Sequence, residues 1–184
     1  MAGLVVAAVS PFFGSAVNAM FLNAAGTVGS AVIVHSEETS STLNDSPIWY
    51  YEAVVRTADH RDVETSFDTM SAALYPWRNE ILIPPDGERF VVKYVPGYPR
   101  NIAIMVDQSP YGRKCQIDRD REPVETAEAK LSAAPDNRQF RDDLKRELAG
   151  FIARHGADAD PALLAGYRAR LAALQGAPES VHQD

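Results

Sequence analysis

One short group of residues carries side chains that could perform acid–base chemistry. Asp59, His60 and Asp62 lie within a single polar segment, where a carboxylate beside an imidazole can act as an acid–base pair. A lone thiol, Cys115, directly follows two basic residues, and their charge favours the thiolate form of a nucleophile. Neither group forms a complete constellation. An enzyme using Asp59 and His60, or Cys115, is therefore an alternative hypothesis.

Two acidic segments resemble metal sites only loosely. DRDRE at 118–122 alternates acids with arginines, which oppose a cation. His155, Asp158 and Asp160 occur together, but Asp160 precedes Pro161 and is better explained as the N-cap of a helix. A metal site needs three or four converging ligands. We therefore predict no metal, no cofactor and no catalytic residue.

The composition argues against nucleic-acid binding and excludes an internal disulfide bond. The 184 residues carry a net charge of -7 and no block of Lys or Arg, so a nucleic-acid-binding face is not expected. A hydrophobic fraction of 46% is ordinary for a globular chain. With one cysteine, no internal disulfide can form.

The first segment of the chain contains no charged side chain. No Asp, Glu, Lys or Arg occurs from Met1 to Ser36, and residues 4–26 are long enough to cross a bilayer, which needs about 20 apolar residues. We predict that residues 1–26 form a transmembrane anchor. A cleaved signal peptide, with VNA at 17–19 before the cut, and a buried core helix are the alternatives.

The flanking charges predict an orientation for this anchor. The charges nearest to it are acidic, and the first basic residue, Arg56, is distant. Basic residues mark cytoplasmic flanks. We therefore expect an inner-membrane protein whose following domain lies on the periplasmic side.

Residues 27–107 follow the alternation of β-strands. In 48–58, Trp49, Tyr51, Ala53 and Val55 share one face, as a half-buried strand requires. Similar strands are predicted at 27–36, 62–67, 88–95 and 101–106, with a turn near Asn44 and Asp45 and an irregular segment at 68–87. PGYP at 96–99 is a corner, because its prolines cannot donate to a ladder. Five antiparallel strands form a small sandwich or a partly open barrel.

The end of the chain changes to helical periodicity. Residues 108–135 are polar and are interpreted as a linker, whereas 136–176 contain two apolar stripes of 3.6-residue period. These stripes predict a helical hairpin, with Gly156 as C-cap of its first helix, and residues 177–184 a disordered tail. The predicted fold class is α+β: an N-terminal transmembrane helix, a β domain and a C-terminal helical hairpin.

Several of these segments resemble a known family. GTV (26–28), WYYEAVV (49–55), the ADHRD turn (58–62) and VKYVPGYP (92–99) are similar in order and spacing to the domain-of-unknown-function 3592 family of small bacterial membrane proteins. The resemblance covers roughly residues 1–107 and implies a membrane location and a small β domain. It implies no activity, and the Asp-His of the turn departs from the Asp-Gly of many members.

Together these features predict a membrane-anchored, non-catalytic protein-binding domain of the bacterial envelope, of which an immunity or accessory protein is one form. Its partners are the membrane, through residues 4–26, and another protein. Aromatic residues in or near Pro-rich loops are the expected contacts, because aromatic side chains dominate interface hot spots: Tyr75, Trp77, Tyr98 and Tyr111. They could equally plug the ends of a small barrel. A subunit of a multi-chain membrane complex is the remaining alternative, in which Ser15 and Asn18 face other helices.

Overall fold

The chain divides into two compact units, residues 1–114 and residues 115–184. The computed structural model describes residues 2–78 and 80–176, with side chains from residue 14 onward. The predicted tail at 177–184 lies outside the described residues. The α+β class is confirmed, since the described part contains both a sheet and four helices.

Unit 1 consists of one long helix and one six-stranded sheet. The elements are α1 (Ala2–Ala25), β1 (Thr27–Leu43), β2 (Ser46–Arg56), β3 (Asp62–Asp68), β4 (Ala73–Tyr75), β5 (Arg89–Val95) and β6 (Tyr98–Met105). The strand order is β3-β2-β1-β5-β6-β4, and every neighbouring pair is antiparallel except β4 with β6. The Thr65 hydroxyl on β3 donates to the carbonyl of Arg100 on β6 at 2.7 Å, so the sheet curls into a half-barrel.

This sheet corrects three parts of the sequence-based prediction. It is one curled sheet, which matches the partly open barrel and not the sandwich. The segment at 68–87 contains β4, whose parallel pairing with β6 also makes the sheet mixed. β1 continues through residues 37–43, of which all but Leu43 are polar, because this part of the strand pairs with β2 and needs no buried face to do so.

The turns follow the residues that permit them. Asn44 and Asp45 have φ of 49° and 62°, which are the two positive values that a tight two-residue hairpin requires. Gly97 has φ of 92° and turns the chain from β5 into β6. The predicted turn at 44–45 is therefore confirmed. The predicted corner at 96–99 is shorter than expected, since Pro96 and Gly97 form the turn and Tyr98 and Pro99 already belong to β6.

The core of unit 1 comes from one face of each strand. The period-2 alternation predicted for β2 and β5 is confirmed, since Tyr51, Ala53 and Val55 and, on β5, Phe90 and Val92 point into one cluster. On β6, Ile102 and Ile104 join this cluster, and Ala103 and Met105 point the other way. The second face of β5 and β6 is the surface against which α1 packs.

The structure does not support the spanning helix predicted for residues 4–26. Within the described residues, no helix is both long enough and apolar enough to span a bilayer. Ala19 and Leu22 are buried against Ala73, Ala103 and Met105 of the sheet. The side chains of residues 4–13 lie outside the described part, so the anchor in that half of α1 stays a prediction.

Unit 2 is a small helical unit with its own core. It contains most of α2 (Pro110–Ala133), then α3 (Arg138–His155) and α4 (Pro161–Gly176). The predicted hairpin is confirmed as α3 and α4, and Asp160 caps α4 by accepting from the backbone N–H groups of Ala162 and Leu163. Gly156 is the C-cap of α3, as predicted, and has φ of -60°. The shared core consists of Val124, Ala127, Leu144, Leu148, Phe151, Ala159, Leu164 and Tyr167.

The predicted linker at 108–135 is wrong, because residues 110–133 form a helix of 24 residues. Its apolar stripe is narrow: Val124 and Ala127 are buried, and Ile117 and Leu131 pack at the edge of the same core. Polar side chains occupy the rest of the helix. A stripe of four residues separated by charged ones does not raise the overall hydropathy of the segment, so the sequence pattern alone does not indicate a helix there.

Candidate functional site

The C-terminal half of α1 is fixed to the sheet by polar contacts as well as by packing. The side-chain amides of Asn18 and Asn101 donate to each other, at 2.7 and 3.2 Å. The Lys93 ammonium donates to the carbonyl oxygen of Asn23, an acceptor in the last turn of α1 that the helix leaves free. These contacts set which face of α1 meets the sheet. They also use the polar group of Asn18 inside unit 1.

The opposite face of α1 is apolar and exposed. Val17, Met20 and Phe21 are 61%, 64% and 55% exposed, and Ala24 continues the same stripe. Positions i, i+3, i+4 and i+7 share one face of a helix, and Ala19 and Leu22 lie on the other. Exposed apolar side chains are ordinary when scattered, but a contiguous group of them marks an interaction surface.

Residues 69–78, 80 and 81 lie beside this helix. The start of this segment is held by Asp68, whose Oδ1 accepts from the backbone N–H groups of Met70 and Ser71 at 2.8 and 2.7 Å. Farther along, Arg78 is fixed by its guanidinium, which donates to both carboxylate oxygens of Asp107 at 3.0 Å. The segment between these ties therefore has a defined position beside α1.

An apolar groove lies between α1 and this segment. It has a volume of about 550 Å³, within the range of ligand pockets, and its walls include Val17, Met20, Leu74, Trp77 and Ile81. Trp77 is 69% and Ile81 is 56% exposed. We name this surface, with Phe21, the apolar face of unit 1. It is the strongest candidate for a functional site in the described residues.

The structure brings only one of the four predicted aromatic contacts to this groove. Trp77 lines it. Tyr75 ends β4 and is half-buried against the cluster beneath α1, Tyr98 is 73% exposed at the start of β6, and Tyr111 is half-buried in the first turn of α2. Sequence reasoning missed Val17, Met20 and Ile81. The i, i+3, i+4 spacing of Val17, Met20 and Phe21 places them on one face of α1, but the opposite face is also apolar, so the spacing does not show which face is exposed.

Asp59 and Asp62 serve the turn on which they lie. Asp59 accepts from the Thr57 hydroxyl and from Arg61, and these two hydrogen bonds hold the pKa of its carboxyl below the usual value. Asp62 accepts from Arg56 in a two-point ion pair at 2.6 and 3.0 Å, which likewise lowers its pKa. Both carboxylates stay ionised, as acceptors for these partners.

The other groups of the enzyme alternative lie on separate elements. His60 is exposed and has φ of 62° in the same turn. Cys115 is a half-buried free thiol on α2. Over the residues with described side chains, no three His, Cys, Asp or Glu residues are grouped as a metal ion requires.

Unit 2 contains a hydrogen-bonded pair of a carboxylate and an imidazole that sequence reasoning did not find. Nε2 of His155, on α3, lies 2.7 Å from Oδ2 of Asp120, on α2, and Arg154 lies 3.3 Å from the same oxygen. Burial opposes ionisation of Asp120, but hydrogen bonds from His155 and Gln116 outweigh it and lower the pKa of the carboxyl. A carboxylate only accepts, so Nε2 of His155 donates.

This pair predicts how unit 2 responds to acid. A depressed pKa in the folded state stabilises the fold above the unfolded value, near 4, and that stabilisation is lost as the pH falls further. We expect Asp120→Asn to weaken unit 2 at pH 7 and to flatten the decline of its unfolding free energy below about pH 4. Denaturant titrations at several pH values, followed by circular dichroism, measure both effects.

The matched control is Asp142→Asn, since Asp142 is an exposed carboxylate on α3. It should reproduce the wild-type dependence on pH. Equal slopes for the Asp120 and Asp142 variants would contradict the stabilising role of the Asp120–His155 pair.

Comparisons with known proteins supply no further constraint on these surfaces. The chain was compared with protein-family models, with curated proteins and with solved structures, and none of the three comparisons found a match.

Proposed function

We propose that this chain is a non-catalytic binding protein of the bacterial envelope, attached to the membrane by its first helix and engaging another protein through the domain that follows. The observation that carries the proposal is the apolar face of unit 1, where the exposed stripe of α1 meets Trp77 and Ile81. Exposing such an apolar surface to water is unfavourable in free energy, and contact with a bilayer or a partner protein removes this exposure.

Three further features support this function. The first 36 residues carry no Asp, Glu, Lys or Arg, which favours contact between the start of the chain and lipid. The acidic residues of the predicted acid–base group are engaged in turn contacts, which favours a binding role over a catalytic one. Tyr98, exposed and outside the groove, is the proposed contact for a protein partner.

The proposed location follows from the same residues. Acidic side chains at Glu37 and Glu38 follow the uncharged segment, and basic ones begin only at Arg56. This distribution favours placing the sheet outside the cytoplasm. The resemblance to the small bacterial membrane proteins implies the same arrangement.

Fractionation of bacteria that express the full chain tests this function. We expect the chain to sediment with membranes and to lose its domains when protease is added to spheroplasts. Protection in spheroplasts, followed by digestion after lysis, would overturn the periplasmic location. Recovery of the intact chain from the soluble fraction alone would overturn membrane attachment.

A further inference from the structure

The two faces of α1 have opposite surroundings in the half whose side chains are described. Ala19 and Leu22 are buried against the sheet, and Asn18 and the end of the helix are bonded to β6 and β5. Val17, Met20 and Phe21 project from the opposite face into solvent. One face of this half of α1 therefore packs against the sheet, and the other is available to bind a second surface.

The attached sheet restricts how this half of α1 can meet lipid. A helix that crosses the hydrocarbon core must have lipid or satisfied protein on every side. Here it carries β5 and β6 with it, and those strands bring Lys93, Arg100 and Asn101. Charged side chains are costly at the centre of a bilayer. Residues 14–25 consequently fit the membrane surface better than its interior.

The geometry points to a bilayer surface as the occupant of the apolar face. α1 lies in the plane of the interface, with Val17, Met20 and Phe21 inserted from the helix and Trp77 and Ile81 inserted from the segment across the groove. This inference rests on the proposed membrane attachment and specifies its form: an interfacial contact by folded unit 1, without a crossing by residues 14–25.

The chemistry of the apolar face favours lipid over a protein. A protein interface has a polar rim with roughly one hydrogen bond per 100–200 Å². The α1 wall of the groove has no charged group for such a rim, since no ionisable side chain other than His35 occurs from Met1 to Ser36 and the uncharged helix continues through residues 2–13. The charged residues of the groove, Arg78 and Glu80, lie in the opposite wall. Trp77 is followed directly by Arg78, and tryptophan is enriched where a chain crosses from hydrocarbon to headgroups.

The same charges predict which lipids suffice. Arg78 is paired with Asp107, and Glu80 lies in the groove wall, so the apolar face has no excess of positive charge. Insertion of apolar side chains is then the driving force. We expect the chain to bind vesicles of neutral phosphatidylcholine as well as vesicles with added anionic lipid, and to keep binding at high salt.

The two tryptophans provide an internal control for the first test. Trp77 lies on the apolar face, whereas Trp49 is on β2. Trp49→Phe leaves Trp77 as the only indole, and Trp77→Phe leaves Trp49. With phosphatidylcholine vesicles brominated along their acyl chains, fluorescence of Trp77 should be quenched, most strongly by bromine near the headgroup. Trp49 does not line the groove, although its backbone is hydrogen-bonded to Thr69 in the groove wall, so its fluorescence should be quenched much less than that of Trp77.

A second test replaces side chains and measures flotation with the same vesicles. Met20→Glu should weaken the binding of the full chain by about tenfold or more, because an apolar side chain that inserts into the bilayer is exchanged for a charge. Val34→Glu is the matched control, since Val34 is 58% exposed on β1 and outside the groove. It should leave flotation unchanged.

The outcomes separate this inference from the function on which it rests. A chain that sediments with membranes while Trp77 stays unquenched overturns the interfacial contact and leaves membrane attachment intact. A chain that neither sediments nor floats overturns both. Binding that requires anionic lipid also overturns the inference. The inference is also overturned if the chain is a dimer without lipid and Met20→Glu makes it a monomer, because the apolar face is then covered by a second copy of the chain.

Discussion

Phe151→Ala is expected to lower the unfolding free energy of unit 2 by about 3–5 kcal/mol. Phe151 is fully buried at the centre of the unit 2 core. Its ring contacts Tyr167 edge-on at 5.1 Å between centroids and His155 at 4.9 Å. Removing it leaves a cavity that three helices border, and a unit of this size has little stability in reserve.

Denaturant unfolding followed by far-ultraviolet circular dichroism measures this change, because unit 2 is helical throughout its described elements. Phe140→Ala is the control: Phe140 is half-buried near the start of α3 and lies outside the core cluster. Phe140→Ala should lower the unfolding free energy of unit 2 clearly less than Phe151→Ala does. Equal losses for the two variants would mean that the three helices do not share the core described above.

Gly112→Ala is expected to destabilise unit 1 by about 1–3 kcal/mol or more, although it adds a single methyl group. Gly112 lies in the first turn of α2, against the short 3-10 helix Val106–Gln108. A Cβ at this position would lie 2.1 Å from the carbonyl oxygen of Val106 and 2.7 Å from its carbonyl carbon. Backbone atoms cannot move aside as a flexible side chain can.

Tryptophan fluorescence reports this loss selectively, because both tryptophans belong to unit 1. The control is Gly166→Ala in α4, where a Cβ meets no atom within 4 Å. There the substitution should stabilise unit 2 by about 0.5–1 kcal/mol, since alanine is the better residue in a helix interior. An unchanged fluorescence transition for Gly112→Ala would show that α2 starts farther from Val106 than described.

Local patterns predicted the strands and the last two helices well. Alternation over 48–55 identified β2 and its inward residues Tyr51, Ala53 and Val55, whereas Trp49, predicted on the same face, is exposed outside the core cluster. The Asp160–Pro161 pair marked the start of α4. These elements can be predicted from sequence because the pattern that indicates each of them lies within one short stretch of residues. α2 cannot be predicted in this way, since its four apolar positions are separated by charged residues.

The candidate site depended on information that no local pattern contains. Residues 14–25 are apolar on both faces, so sequence alone cannot tell which face meets the sheet. The partner of Trp77 across the groove is Met20, which is far away in the chain. The Asp120–His155 pair joins residues that are 35 positions apart. Only the tertiary arrangement brings these groups together.

The length of β1 has a consequence for how the molecule avoids pairing with itself. Its pairing with β5 runs from Thr27 to Val32, whereas its pairing with β2 continues to Leu43. The later part of β1 thus presents backbone N–H and C=O groups along one side, which a strand from another molecule could extend. Two register irregularities and the charges of Glu37 and Glu38 occur in this part. Bulges and charged side chains are the features by which natural sheets protect a free edge against aggregation.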